Sequence, residues 1–377
     1  MDVAGVVAKV TSPLAAVVGA GVAGLVCASM LAERGIAVKV FEMGRGPGGR
    51  MSQRRERTED GRELLFDHGA QYFTVRKPEV QKLVERWQMS GLVAEWRGRF
   101  GTLDVQTGNF VEDTVEKRRY VGVPGMNSIC KALSLSEGVQ ANYGVTVTGL
   151  EWRKDGLWNV KAKDGESLGV FDAVIIADKG LASARFLAQT GLPPPLEGAG
   201  VPELTKRVAA VTTAPCFALM LAFAKPLTLV PFDGAVIDGS KIISWVARDS
   251  SKPGRATNSS ECWVVHSTAE YASNIISQTG LNKPSNELLS AVALDLLAAF
   301  EAAVPNIPSP SFLKAHRWGG AFPTTAIASE EKCILEEERR IAVCGDFCVG
   351  PRVEDAVLSG VSAAEKVAKI LNFPFSL

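Results

Sequence analysis

The hydrophobic period of this chain changes twice between residues 14 and 41. Ala15 to Val18 is a continuous apolar run of the kind that forms a buried parallel strand. From Val22 to Glu33 the apolar positions Val22, Val26 and Met30 recur at helical spacing, which predicts a helix with one buried face. Ile36 to Phe41 returns to the alternation of a strand. The three segments read as a β-α-β unit. Phe171 to Ala177, "FDAVIIA", and Arg340 to Cys344 read as further buried strands. A terminal helix is predicted from Val357, Val361, Ala364, Ala368 and Leu371, which recur at steps of four and three.

Between these segments the pattern predicts a strand and turn over Arg62 to Phe73, helices over Val80 to Ser90 and Gly125 to Leu135, and a hairpin joining Val145–Trp152 to Leu157–Ala162 around "KDG". The proline-rich link "GLPPPLEGAG" at 191–200 then opens a region of different character. That region, about 201–315, mixes strands at Cys216 to Phe223, Ile242 to Ala247 and Cys262 to His266 with a helix from Asn286 to Ala303. The expectation is an α/β protein in which 14–90, 125–185 and 316–377 form a discontinuous Rossmann-type domain. Residues 91–124 and 186–315 form an inserted α+β substrate domain.

With 377 residues, one large or two interleaved domains are expected. The 41 basic and 41 acidic residues cancel, which removes any global field for nucleic acid or an anionic membrane and points to a small-molecule partner. Seven cysteines are scattered without a C-x-x-C pair, as suits a reducing compartment. Cys344 and Cys348 bracket "CGDFC", but Cys344 continues a strand-like run and reads as packing rather than as half of a redox pair. His68, His266 and His316 are too few and too dispersed to suggest a metal site. The uncharged run Leu14 to Leu31 is long enough for a membrane span, yet its glycines mark a strand, a turn and a helix. With Asp2 and a single Lys9 ahead of it, the start is a poor targeting signal. An intracellular soluble protein is expected, cytoplasmic or in the plastid stroma.

Candidate chemistry begins at Gly19, Gly21 and Gly24, a G-x-G-x-x-G placed between a strand and a helix. In a dinucleotide site these glycines serve a tight turn, close approach of backbone to pyrophosphate, and packing of helix on strand. Glu42 closes the second strand, near the spacing of about 20 residues at which an acidic residue takes the ribose hydroxyls. Its charge would repel a 2′-phosphate, so the fingerprint suits FAD or NAD and not NADP. The stretch "EMGRGPGGRM" then places Gly48 and Gly49 where backbone can pass beside a pyrophosphate, and Arg50 where a guanidinium fork can meet phosphate oxygens. Arg54 to Arg57 read as a solvated basic face.

These residues, followed by "GGRM", resemble the FAD-dependent amine oxidase superfamily, and "DHGAQYFT" at 67–74 resembles its renalase-like branch. The likeness extends through "YVGVPGMNSICKAL", "APCFALMLAF", "WVARDSSKPGR", "ECWVVHSTAEY", "HRWGGAFP" and "GDFCVGPRVEDAVLSGVSAAE", and spans about 14–370. It implies a glutathione-reductase-like FAD-binding domain. The residues it assigns to the cofactor are Gly19, Gly21, Ala23, Gly24, Glu42, Met43, Gly49, Arg50, Met51, Gly69, Ala70, Gln71, Tyr72, Val147, Gly345, Asp346 and Val353. Within that set, Val147 meets the adenine, Asp346 the ribityl chain, and Gly69 to Tyr72 the isoalloxazine ring. Val353, opening the terminal helix, lies beneath flavin N1 and O2, where a helix N-terminus favours negative charge. Asp178 in "VIIADKG" departs from the superfamily's A-T-P or A-T-G ending.

The resemblance further implies hydride transfer to flavin N5 from an isomeric dihydronicotinamide nucleotide, with molecular oxygen as acceptor. No side chain is assigned as a catalytic acid or base; Tyr72 and Trp318 are the pocket candidates. Arg248, Lys252 and Arg255 could meet nucleotide phosphates. An amine or polyamine oxidase, a non-cycling flavin-binding redox sensor and an NAD-dependent dehydrogenase are the competing readings.

Overall fold

A computed structural model describes residues 12–115, 117–255 and 260–373. Asp2 and Lys9, and the last four residues of the expected 316–377 segment, lie outside the described residues.

The apolar runs assemble into a six-stranded sheet. Its parallel strands lie in the spatial order Val139–Tyr143, Ala37–Glu42, Leu14–Val18, Ala173–Ile176 and Ile341–Val343, with Ile334–Glu336 as an antiparallel edge. This is the doubly wound arrangement, in which the first strand sits centrally and the chain winds outward to either side. Leu14–Val18 shows why the run is apolar throughout. Ala15 and Val17 enter one core, shared with the helix Val22–Ala32, while Ala16 and Val18 enter another, shared with Phe171 and Leu196. The uncharged run from Leu14 to Leu31 is therefore a strand, a turn and a helix. Among the described residues no helix is long and apolar enough to cross a membrane.

The helix Val22–Ala32 is buried nearly all round rather than on one face, with Met30 half-buried. It lies between the sheet and the terminal helix Val353–Ile370, and Gly360 permits the approach: a Cβ there would sit 2.3 Å from the Ala23 carbonyl oxygen. The expected hairpin gains a third strand, giving the antiparallel meander Val147–Trp152, Trp158–Ala162 and Ser167–Phe171 between two parallel strands. Arg54–Arg57, expected as a solvated face, forms a strand against Glu63–Phe66.

A second, seven-stranded sheet runs Phe312–Pro323, Thr213–Phe223, Glu261–Ser267, Ile243–Arg248, Gly234–Asp238, Phe100–Asp104 and Phe110–Glu112. Phe217, Leu219, Leu221 and Phe223 face a core shared with the helix Asn286–Ala303, while Met220 and Ala222 pack with Leu64 and Phe66. Residues 316–323, expected in the Rossmann-type domain, instead belong to this sheet. The strand that contains them pairs with Thr213–Phe223 along most of its length. Toward its end the Ala321 carbonyl accepts from Arg50 Nη1 at 2.9 Å, which ties this strand to the glycine turn after Ala37–Glu42.

Candidate functional site

The three fingerprint glycines differ in what surrounds them. Gly19 has φ +111°, a conformation that L side chains rarely adopt, and turns the chain against Ala177. At Gly24 a Cβ would lie 2.2 Å from the Gly19 carbonyl oxygen and 2.8 Å from the Ala177 Cβ, so this glycine sets the contact of helix and strand. Gly21 has nothing within 4 Å of the position a Cβ would take, and it faces a cavity of about 460 Å³. The backbone at Gly21 is thus left bare toward open space.

Glu42 is held in place by two backbone amides. Ala20 N–H donates to Oε2 at 2.8 Å and Gly44 N–H to Oε1 at 2.7 Å. Burial raises its pKa, and the two amides act in the opposite direction. The glycine turn beyond it folds back on the fingerprint. Gly48 N–H donates to the Ala20 carbonyl at 2.8 Å, and both Gly48 (φ +127°) and Gly49 (φ +53°) have positive φ. The order of residues in "EMGRGPGGRM" therefore has a structural cause: the acid locks the first turn, and the glycines lay a second turn along it.

Arg50 and Asp346, 296 positions apart, form a bidentate pair at 2.6 and 2.7 Å. Arg50 Nη1 also donates to the Ala321 carbonyl at 2.9 Å. Burial disfavours the guanidinium charge, but the Asp346 carboxylate more than offsets this and raises the pKa of Arg50. The 39% of the Arg50 side chain that remains exposed opens onto the cavity. Asp346 does not cap the terminal helix, which begins at Val353 after Arg352. In that first turn Asp355 pairs with Arg352 at 2.7 Å, and Glu354 accepts the Arg76 and Lys77 amides at 2.6 Å each. Two buried acids thus share the positive end of this helix with any anion bound there.

Of the expected cofactor set, Gly19, Gly21, Ala23, Glu42, Met43, Gly49, Arg50, Met51, Gly69, Ala70, Val147, Gly345, Asp346 and Val353 line this one cavity, and Trp318 joins them. Gly69 brings its segment against the far wall: a Cβ on it would lie 2.0 Å from the Arg50 carbonyl and 3.3 Å from the Trp318 ring. Trp318 Nε1 donates to the His68 carbonyl at 3.0 Å. Asp178 caps the turn after its strand by accepting the Gly180 amide at 2.8 Å.

Gly24, Gln71 and Tyr72 do not line the cavity. Gly24 lies behind its wall. Gln71 is buried and accepts from Lys252 Nζ at 3.2 Å. The Tyr72 ring lies 5.6 Å from that of Trp245 and 6.4 Å from that of Trp96, with the Arg119 guanidinium 5.5 Å from its centre. Nor are the three basic residues of "WVARDSSKPGR" free to meet phosphates. Lys252 is buried between Asp249 (2.7 Å) and Asp67 (3.2 Å), Arg255 pairs with the same two carboxylates, and Arg248 covers Trp263 while donating to the Val230 carbonyl. Each is already committed to an internal partner.

The histidines, dispersed in sequence, converge in space. The His68 ring lies 4.8 Å from that of His316 and 4.9 Å from that of Trp318, and His266 Nε2 approaches the His68 carbonyl at 3.2 Å. Burial lowers all three pKa values, to about 3 for His68 and about 4 for His266 and His316, so the cluster is neutral at pH 7. All seven cysteines are buried and free, Cys344 and Cys348 included.

Lys179, Arg185, Cys216 and His266 also line the cavity and were not anticipated. For the first two a signal was present, because ligands of doubly wound sheets bind beyond the carboxyl ends of the strands and Lys179 lies two residues past "FDAVIIA". Cys216 and His266 arrive through strand pairing alone. Taken together, a bare backbone at Gly21, an oriented carboxylate at Glu42 and a guanidinium open to the cavity at Arg50 fit a dinucleotide with a ribose and a diphosphate.

Comparison with known proteins agrees. Residues 17–87 match the NAD(P)-binding Rossmann-like domain, and residues 89–368 match the flavin containing amine oxidoreductases. A carotenoid phi-ring synthase from Streptomyces griseus is 39% identical over 70 residues, a stretch covering 17% of this chain and 14% of that protein. The crystal structure of an oxidoreductase from Methanosarcina mazei superposes with a TM-score of 0.62 at 16% identity, over 93% of this chain and 99% of the other, and shows the same fold. With more than half of its length matched, the chain belongs to the flavin-containing amine oxidoreductase family and is an FAD-dependent oxidoreductase.

Proposed function

We propose that this flavoenzyme takes hydride from a small reduced substrate, an isomeric dihydronicotinamide nucleotide, and passes the electrons to molecular oxygen, as the renalase-like resemblance implies. The observation that carries the reading is the continuity of the cavity, which runs from the fingerprint turn to Trp318 on the second sheet. Such a space accommodates a dinucleotide along one wall and a flat ring at its end. The antiparallel meander between two parallel strands supports the glutathione-reductase-like description of the cofactor domain.

When bound, FAD supplies the hydride acceptor. The chain's own residues hold and orient. Gly21 and Gly49 let backbone approach the diphosphate, and Glu42 accepts the ribose hydroxyls. Arg50, fixed by Asp346, turns its remaining N–H groups toward the cavity, while Gly69 and Ala70 border the space in front of Trp318. A hydride donor requires no base, and His266 in the wall, whose pKa burial lowers to about 4, is a weak one.

The family's name points to amines, and an amine or polyamine oxidase is the second reading. An anaerobic titration separates them. Bleaching of the flavin band by dihydronicotinamide isomers, with amines inert, supports the proposal; bleaching by amines alone replaces it. Slow reduction without turnover in air would instead indicate a redox sensor.

A further inference from the structure

Two cations in the cavity have no partner among the described residues. Lys179 follows the strand Ala173–Ile176, and Arg185 belongs to the short helix Ala184–Thr190; both line the cavity and both are half-buried. Among the described residues neither makes a hydrogen bond or an ion pair, whereas Arg50, Arg352, Lys252 and Arg255 are all paired with carboxylates. Lys179 and Arg185 converge on one place, the Gly319–Gly320 pair that follows Trp318. A Cβ on Gly319 would lie 2.6 Å from Arg185 Nη1, and one on Gly320 would lie 3.5 Å from Lys179 Nζ. Side chains here would fill the space the two cations occupy. The nearby acid, Asp178, is engaged by the Gly180 amide and forms an ion pair with neither. Burial lowers the pKa of both cations, against the pull of Asp178.

Withdrawing two positive groups from water without a counter-charge is unfavourable, and an anion placed between them would relieve that cost. We propose that Lys179 and Arg185 bind an anionic group, a phosphate or a carboxylate, of the reducing substrate. The inference rests on the reading of this cavity as the joint site of FAD and substrate. The same chemistry could come from the cofactor's own diphosphate. The position favours the substrate: both cations lie against Gly319 and Gly320, directly after Trp318, whereas Arg50, the guanidinium assigned to the diphosphate, meets the same strand further along, at the Ala321 carbonyl. The pair also disfavours a protonated amine, because a third positive charge would be repelled.

The test uses the FAD-loaded enzyme, its Lys179→Gln and Arg185→Gln variants, and Arg185→Lys as a charge-retaining control. Binding of inorganic phosphate is measured by calorimetry at fixed ionic strength, and the FAD dissociation constant is measured in parallel. The expected result is saturable phosphate binding to the parent enzyme, weakened tenfold or more in each glutamine variant and largely retained in Arg185→Lys, with FAD affinity changed less than twofold. Absence of phosphate binding, or binding unaltered in the glutamine variants, overturns the proposal. A tenfold loss of FAD affinity in those variants overturns it too, since it assigns the cations to the diphosphate. Failure of dihydronicotinamides to bleach the flavin would reject that substrate and leave the phosphate result standing.

Discussion

At the scale of single residues, Glu42 combines two tasks. Its carboxylate locks the Ala20 and Gly44 amides and retains lone pairs for the ribose. Glu42→Ala is expected to weaken FAD binding by about 1–3 kcal/mol through loss of charge-assisted hydrogen bonds. Unchanged FAD affinity, measured by equilibrium dialysis, would contradict the ribose role. The three histidines make a second prediction. Their folded pKa values of about 3 to 4 lie below the ordinary 6.5, so between pH 6.5 and 4 the unfolded chain binds protons that the native one does not. Stability is complete above pH 6.5 and falls with acidification, by about 1.4 kcal/mol per pH unit for each such proton. Urea unfolding across this range should show the slope, and a flat profile would contradict the neutral cluster.

At the scale of elements, the fingerprint turn separates folding from binding. Gly24→Ala forces a Cβ into the Gly19 carbonyl and should cost about 1–3 kcal/mol or more as an overpacked core. Gly21→Ala meets only open space, so apo-protein stability should stay within about 0.5 kcal/mol while FAD binding falls. Thermal melts and FAD titrations of both variants check the contrast; a Gly21→Ala variant with full FAD affinity would place the diphosphate elsewhere. The β-α-β unit was legible because the apolar period changes at the glycines. The partial burial of Met30 and the strand membership of 316–323 were not, since both depend on what packs or pairs from distant parts of the chain. "HRWGGAFP" has no apolar alternation to mark it as a strand. At the site, the fingerprint and Glu42 could be read from local order, whereas the Arg50–Asp346 pair joins residues 296 positions apart. The basic residues of "WVARDSSKPGR" misled for the same reason: sequence shows their charge but not Asp67, which arrives from 185 positions away to neutralise Lys252.

At the scale of the whole molecule, the two sheets are joined where the cavity lies. The ionic cluster of Asp67, Asp249, Lys252 and Arg255 links the segment after the two-stranded hairpin Arg54–Arg57/Glu63–Phe66 to the segment after Ile243–Arg248 of the second sheet, and Asp67 also accepts the Met126 amide at 3.0 Å. Lys252→Met would leave two buried carboxylates facing one guanidinium, and a loss of about 3–5 kcal/mol is expected in urea unfolding. A loss below about 1 kcal/mol would show that the cluster does not hold these segments together. The account as a whole depends on FAD occupying the space between those sheets. The most direct measurement is the FAD content of folded, purified protein by visible absorbance, before and after incubation with excess FAD. One FAD per chain, with the flavin band lost in Gly21→Ala while the fold persists, is the predicted result. Folded parent protein that stays colourless in excess FAD would contradict it.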